Sequence, residues 1–430
     1  MISRRKFLEV GGLVAMIPAA QASLARSRGT RENETLPPSI AALKSRKGEA
    51  KPITREERQQ RQERARQRMK ENGLDAIVLM TGTSLQYFAG IRWWGGERMF
   101  ALVLPASGNA FYVCPGFEEG RAREQIKNAP EGEHPDVRIW QEDESPYQRL
   151  AQGLQDRGMA TGTIGLEETI RFVFCEGMSK AASQAKLVSA TPVTAGCRMT
   201  KSPHEIALMR LASEVTLAAY EATYRAIKDG MTQPQVQDLV QKSHEQLGFT
   251  GGADVQVGEF SAFPHGSVTP QVVHEGTIVL MDGGCAVEGY ESDITRTFVL
   301  GKASDKMKSV FEIVHRAQSA ALAAAKPGAE CGSVDAAARK VVTDAGYGPD
   351  YKYFTHRLGH GLGMDGHEWP YLVRGNPVKL QANITTSNEP GIYIRGEFGV
   401  RLEDDMHVTE NGAVLFTPQS PSLEDPFARA

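Results

Sequence analysis

Five short stretches in the second half of the chain carry residues that could do chemistry together. In the first, Thr277-Ile278-Val279-Leu280-Met281-Asp282-Gly283-Gly284, an apolar, β-branched run ends in an acid and two glycines. In the second, Asp293 opens a run to Leu300, and 293 − 282 = 11 residues separate the two acids. An antiparallel hairpin with Asp282 opposite Asp293 would put both carboxylates on one face, with Cβ atoms about 4.5–5.5 Å apart. Like charges that close repel strongly unless a cation lies between them. Alone, such a pair is as readily explained as two exposed strand ends.

The third stretch runs from Thr355 to His367 and holds His356, His360 and His367, three of the chain's ten histidines. Glycines among them permit tight turns. Neutral imidazole is both a common metal ligand and an acid–base group. The fourth and fifth are Asn388-Glu389-Pro390-Gly391 and, 403 − 389 = 14 residues on, Val400-Arg401-Leu402-Glu403-Asp404-Asp405. Gly396 lies midway, so a second hairpin could set Glu389 opposite Glu403. Four carboxylates and one imidazole suit two divalent ions roughly 3.5–4 Å apart, bridged by water or hydroxide. Oxygen-rich ligation favours Mn²⁺, and Zn²⁺ and Co²⁺ could also fit.

These residues need a scaffold. Strand-like runs at 277–282, 293–300, 384–394 and 399–408 mix with amphipathic helical patterns at about 203–229, 233–247, 304–326 and 333–345. Without regular alternation of the two kinds, an α+β domain is expected over residues 198–420. Its first helix has a sharp start: Ser202-Pro203-His204-Glu205 reads as a capping box with proline at the first helical position. Upstream, residues 54–72 read as a solvated helix ended by Gly73. Apolar runs at 75–80, 100–104, 111–114 and 163–166 then alternate with helical segments, which predicts a smaller α/β domain over 54–197.

The 430 residues are 41% hydrophobic and 23% charged, with net charge −3. That is ample for two folded domains and gives neither a nucleic-acid footprint nor a polybasic membrane patch. Five scattered cysteines without a CxxC imply reduced thiols and no disulfide framework. The amino terminus, with Arg4-Arg5-Lys6, an apolar run from Val10 to Ala20 and the small-x-small Ala20-Gln21-Ala22, has the order of a cleavable export signal over residues 1–22, of twin-arginine type. Residues 23–53 read as a flexible leader and 421–430 as a tail. A periplasmic or secreted protein with no membrane insertion after signal removal is expected.

The motifs MDGG at 281–284, SDITRTF at 292–298, HRLGHGLGMDGH at 356–367, NEPGIY at 388–393 and GVRLEDD at 399–405 together resemble the pita-bread metallopeptidases of family M24. The likeness is to the Xaa-Pro dipeptidase (prolidase) and aminopeptidase P branch and covers about residues 54–420. It implies a C-terminal pita-bread domain behind a creatinase-type N-terminal domain. It also implies two metal ions held by Asp282, Asp293, His360, Glu389 and Glu403, with Asp293 and Glu403 bridging. Glu389 would shuttle the proton, His265 and His367 would hold the substrate carbonyl, and His356 would meet the proline side. Arg374 would clamp a C-terminal carboxylate. Arg401 would orient carboxylates at the substrate site or form a structural ion pair. The expected substrate is a proline-containing di- or oligopeptide and the expected assembly a homodimer. The leading reading is an Xaa-Pro dipeptidase; aminopeptidase P, acting on longer Xaa-Pro peptides, is the alternative. A pita-bread hydrolase of a non-peptide substrate and a non-catalytic peptide-binding protein are the readings from other classes. Five intact ligand positions argue against the last.

Overall fold

The computed structural model describes residues 35–132 and 134–428. The expected export signal, residues 1–22, lies outside them. Among the described residues no helix is long and apolar enough to cross a membrane.

The N-terminal domain is built on a six-stranded mixed sheet of β1 (Ala76–Met80), β2 (Ala101–Pro105), β3 (Phe111–Pro115), β4 (Asp136–Trp140), β5 (Thr163–Leu166) and β6 (Lys186–Ser189), in the order β4-β3-β2-β1-β5-β6. β1 is buried along its whole length, and its alternate side chains feed apolar clusters on the two faces of the sheet. The domain's last helix ends at Arg198.

The Arg55–Glu71 helix departs from expectation. It begins with a capping box between Thr54 and Glu57 but is not wholly solvated. Arg61 is buried against the C-terminal domain, donating to the Tyr290 hydroxyl at 2.7 Å and pairing with Glu205 at 3.2 Å. A charged residue on such a helix reads as solvent-facing unless its distant partner is known. Its long stem and planar fork let it span an interface.

The chain ends differ as well. The flexible leader expected to reach residue 53 is folded from Pro38 onward. Ile40 is fully buried, Ser39 Oγ donates to the Ala222 carbonyl at 2.8 Å, and Arg46 pairs with Glu214 at 2.9 Å. The expected tail is tied down too: Leu423 is buried and its carbonyl accepts from Val299 N at 2.9 Å. In both segments a few apolar side chains find a groove that composition alone does not reveal.

In the C-terminal domain, β7 (Gly251–Val257), β8 (Ile278–Val287), β9 (Tyr290–Glu291) and β10 (Ile294–Val299) form one antiparallel sheet, ordered β10-β8-β7 with β9 on β8. Helices Pro203–Tyr224 and Gln233–Leu247 pack on it. The first keeps the Ser202–Glu205 capping box, with Glu205 N donating to Ser202 Oγ at 3.3 Å and Ser202 N to Glu205 Oε2 at 2.7 Å. A second sheet joins β11 (Gly359–Gly361), β12 (Glu368–Leu372), β13 (Thr385–Asn388), β16 (Asp404–Thr409) and β17 (Gly412–Leu415) in the order β12-β11-β13-β16-β17. β14 (Gly391–Ile394) and β15 (Phe398–Arg401) pair separately. Helices Asp305–Ala324 and Cys331–Val342 cover this half. This is the α+β arrangement expected.

Registers place the candidate ligands. Across β8–β10, Asp282 faces Thr295, and Asp293 lies one residue before β10 begins. The expected pairing of Asp282 opposite Asp293 is therefore corrected. Asp293 still points to the same side, because it is two residues from Thr295 and side chains alternate with period two. The other pair keeps its frame. Gly391 faces Arg401 and Asn388 faces Asp404, so Glu389 and Glu403 fall in one register between two ladders. Pro390, which has no N–H to donate, splits the run expected at 384–394 into β13 and β14.

Candidate metal centre

Five side chains converge: Asp282 from β8, His360 from β11, and Asp293, Glu389 and Glu403 from residues just outside strand ends. Ligand atoms of Asp282, Asp293 and Glu403 lie within 4.8 Å of one another, as do those of His360, Glu389 and Glu403. A third group of the same tightness joins Asp293, His360 and His367. Close backbone approach makes this possible. A Cβ on Gly284 would sit 1.8 Å from the Ser292 carbonyl oxygen, and one on Gly359 would sit 2.3 Å from that of Ser387.

The chemistry of the set fits divalent cations. Burial, then the charges of Asp282, Asp405 and Glu389, raise the Asp293 carboxyl well above its ordinary range. Burial, then Asp293, Glu389 and Asp282, do the same to Glu403. Burial pushes Glu389 up to about 8, against the lowering charge of Arg401. So many carboxylates cannot all ionise in a small space without positive charge among them. His360 is held neutral, its pKa pushed down to about 3 by burial and next by His367. Its Nδ1 lies 3.1 Å from the Gly361 carbonyl, which takes the ring proton. Nε2 is thus left as a lone pair, 3.3 Å from Glu389 Oε1 and 3.7 Å from Asp293 Oδ2. A backbone carbonyl fixing the tautomer is the usual support of a ligating histidine.

A shell of fixed polar groups surrounds the five. Arg401 is buried and each of its three nitrogens is engaged inside the protein: Nη2 on Asp282, Nε on Thr295 Oγ1 at 3.0 Å, and Nη1 on Tyr393 Oη at 3.0 Å and on the Pro264 carbonyl at 3.1 Å. From this buried position it pairs with a candidate ligand carboxylate, in line with both roles expected of it, orienting carboxylates and forming an ion pair. Asp405 Oδ2 accepts from Asp293 N at 3.1 Å and from Ser213 Oγ at 2.9 Å. Ser387 Oγ donates to Glu389 Oε1 at 3.3 Å and accepts from His360 N at 3.0 Å.

The other histidines separate into two roles. His367 stacks on His360 with ring centroids 3.6 Å apart, and its ring is exposed toward solvent. His265, also exposed, is close enough for its charge to act on both His356 and His367. His356 has both nitrogens engaged: Nδ1 with the Arg357 carbonyl and Nε2 with the Tyr393 hydroxyl, each at 2.7 Å. Its Nδ1 edge lies 3.6 Å from Glu389 Oε2. These contacts place His356 beside Glu389.

Arg374 is not brought to the cluster. It is half exposed and pairs with Asp350 at 2.8 Å. Arg357, which lies 4.5 Å over the Tyr371 ring, is a cation whose charge acts on His360 and His367 and, after that of Arg401, on Glu389. Thr295, Ser387, Tyr393, Asp405 and Arg357 are the site residues the sequence reading passed over. All lie within or beside the motifs already singled out, and period-two alternation from Asp293 could have found Thr295. Cys285 belongs to packing: its thiol donates to the Ala212 carbonyl at 3.5 Å. All five cysteines are free.

Fold and site together define a metal-dependent hydrolase with a creatinase-type first domain. Residues 207–410 match the family model of Metallopeptidase family M24, and residues 61–200 match the Creatinase/Prolidase N-terminal domain. An Xaa-Pro dipeptidase of Lactobacillus delbrueckii subsp. lactis is 34% identical over 83% of this chain and 96% of its own. The crystal structure of dipeptidase PepE from Mycobacterium ulcerans superposes with a TM-score of 0.81 at 32% identity, covering 87% of this chain and 99% of that one. Prolidase from Thermococcus sibiricus gives 0.75 at 28%, covering 84% and 96%. The chain belongs to metallopeptidase family M24, and the resemblance read from its motifs is borne out.

Proposed function

We propose that this protein is an Xaa-Pro dipeptidase, hydrolysing the bond before a C-terminal proline. The observation that carries the reading is the placement of Glu389. One oxygen faces Ser387 and His360, the other faces His356, and the carboxyl stands among the other four ligands. The name of the Lactobacillus relative supports the substrate class.

Bound divalent ions supply Lewis acidity, which acidifies water and polarises a carbonyl. The chain's own groups do the rest. Glu389 takes the proton of the attacking water and delivers it to the proline nitrogen as the C–N bond breaks. His265 and His367, exposed at the rim, hold the carbonyl oxygen as it gains negative charge. The buried Arg401–Tyr393–His356 chain keeps Glu389 facing the reacting carbon. Arg357 takes the clamp role first assigned to Arg374, its guanidinium fork matching the C-terminal carboxylate of a dipeptide.

The oxygen-rich ligand set supports Mn²⁺ as the working ion. Residues 1–22 support twin-arginine export and a periplasmic or secreted location. A homodimer is part of the same reading. The Mn²⁺-loaded protein should cleave a Gly-Pro dipeptide faster than a longer peptide beginning Xaa-Pro. Cleavage of the longer peptide alone would replace the dipeptidase reading with aminopeptidase P.

A further inference from the structure

The carboxyl ends of β1 and β5, which run side by side and parallel, open onto a cavity of about 350 Å³. Such ends are where α/β sheets take ligands. Thr81–Ser84 follows β1 into its wall and Glu167–Thr169 follows β5. The C-terminal domain closes it with Asp365 and the segment His367–Trp369, and His367 belongs to both this wall and the metal cluster.

The lining is acidic and incompletely compensated. Asp365 and Glu368 are paired with Arg198, and Glu368 also with Lys201 at 2.7 Å. Among the described residues Glu168 has two long contacts, from Thr191 Oγ1 and Trp369 Nε1, each at 3.4 Å. Glu167 is 5% exposed and its Oε2 has no hydrogen-bond partner among the described residues. A buried carboxylate oxygen without a donor is destabilising. The missing donor is what a ligand N–H would supply. The Trp369 and Tyr371 rings, 5.0 Å apart, add an aromatic wall suited to an alkyl stem or a cation.

We propose that this cavity receives a cationic side chain, lysine or arginine, from the residue before the scissile bond, with Glu167 as its counter-charge. The proposal rests on the Xaa-Pro reading above. In that reading His367 holds the carbonyl of this same residue, whose side chain leaves one atom away. A cavity walled by His367 is therefore within its reach.

The test uses the full chain loaded with Mn²⁺ and three dipeptides, Lys-Pro, Met-Pro and Ala-Pro, at pH 8. The wild type should favour Lys-Pro over Met-Pro in kcat/KM. Glu167→Gln should cut that ratio about ten-fold, the scale of one charge-assisted hydrogen bond, and chiefly through KM. Glu168→Gln, at the exposed rim, should cut it by less. A ratio unchanged in both variants while Ala-Pro is still turned over would overturn the cationic pocket alone. No turnover of any of the three by the wild type would overturn the Xaa-Pro reading and this proposal with it.

Discussion

Thr295 faces Asp282 across the β8–β10 ladder, with its Oγ1 2.7 Å from Asp282 Oδ1. The same oxygen lies 2.6 Å from Glu403 Oε2 and accepts from Arg401 Nε at 3.0 Å. A hydroxyl has one hydrogen to give. It can satisfy one acid while the other turns to a cation. Thr295 thus sets the spacing of two ligands without ligating. Thr295→Val keeps the shape and removes the bond. It should weaken metal affinity about 10–100-fold, the usual effect of losing a ligand's hydrogen-bond partner. Calorimetric titration of stripped protein with Mn²⁺ checks this, and Thr295→Ser should recover most of the loss.

Tyr393 links Arg401 to His356 and touches no ligand directly. Tyr393→Phe should lower kcat about ten-fold with little change in KM, because it loosens the support of Glu389 and leaves the substrate surface intact. Steady-state kinetics on Gly-Pro separate the two. A rise in KM alone would place His356 in contact with substrate.

Arg357 and Arg374 make opposite predictions. Arg357→Gln should raise KM for a dipeptide at least ten-fold, the loss expected of a bidentate carboxylate contact. Arg374→Gln removes an exposed pair with Asp350 and should change stability by about 1 kcal/mol or less. Comparing KM for both variants on one dipeptide decides which arginine meets the carboxylate.

The main motifs were legible because a strand ending in an acid and two glycines, or a helix opening on Ser-Pro-x-Glu, is a local signature. The offset between Asp282 and Asp293 was not, since spacing alone cannot reveal how many residues a connection uses. β9 and its turns absorb the difference. The break at Glu389-Pro390 could be read from the proline; the register shared with Glu403 followed from counting. Arg61, Ile40 and Arg374 were misplaced for a common reason. Their surroundings are set by partners far along the chain, Glu205 and Tyr290 for Arg61 and Asp350 for Arg374.

Glu167 also carries a stability prediction. Burial raises its carboxyl from 4.5 to about 7, opposed by the Ser84 hydroxyl and Arg198 and reinforced by Asp365 and Glu168. The unfolded chain ionises it near 4.5. Its contribution is fully present below that pH and is lost as pH rises through about 7. The lost stability is about 3 kcal/mol. Glu167→Gln should therefore match the wild type near pH 4.5 and be more stable at pH 8 by urea unfolding. Equal stability at both would show that the carboxyl is not held in its neutral form.

Asp282, Asp293, His360, Glu389 and Glu403 are the five side chains proposed to hold two ions. Anomalous diffraction from a crystal grown with Mn²⁺ tests this directly. Two peaks about 3.5–4 Å apart among these five side chains are predicted. A single peak, or none between them, would contradict the dinuclear centre.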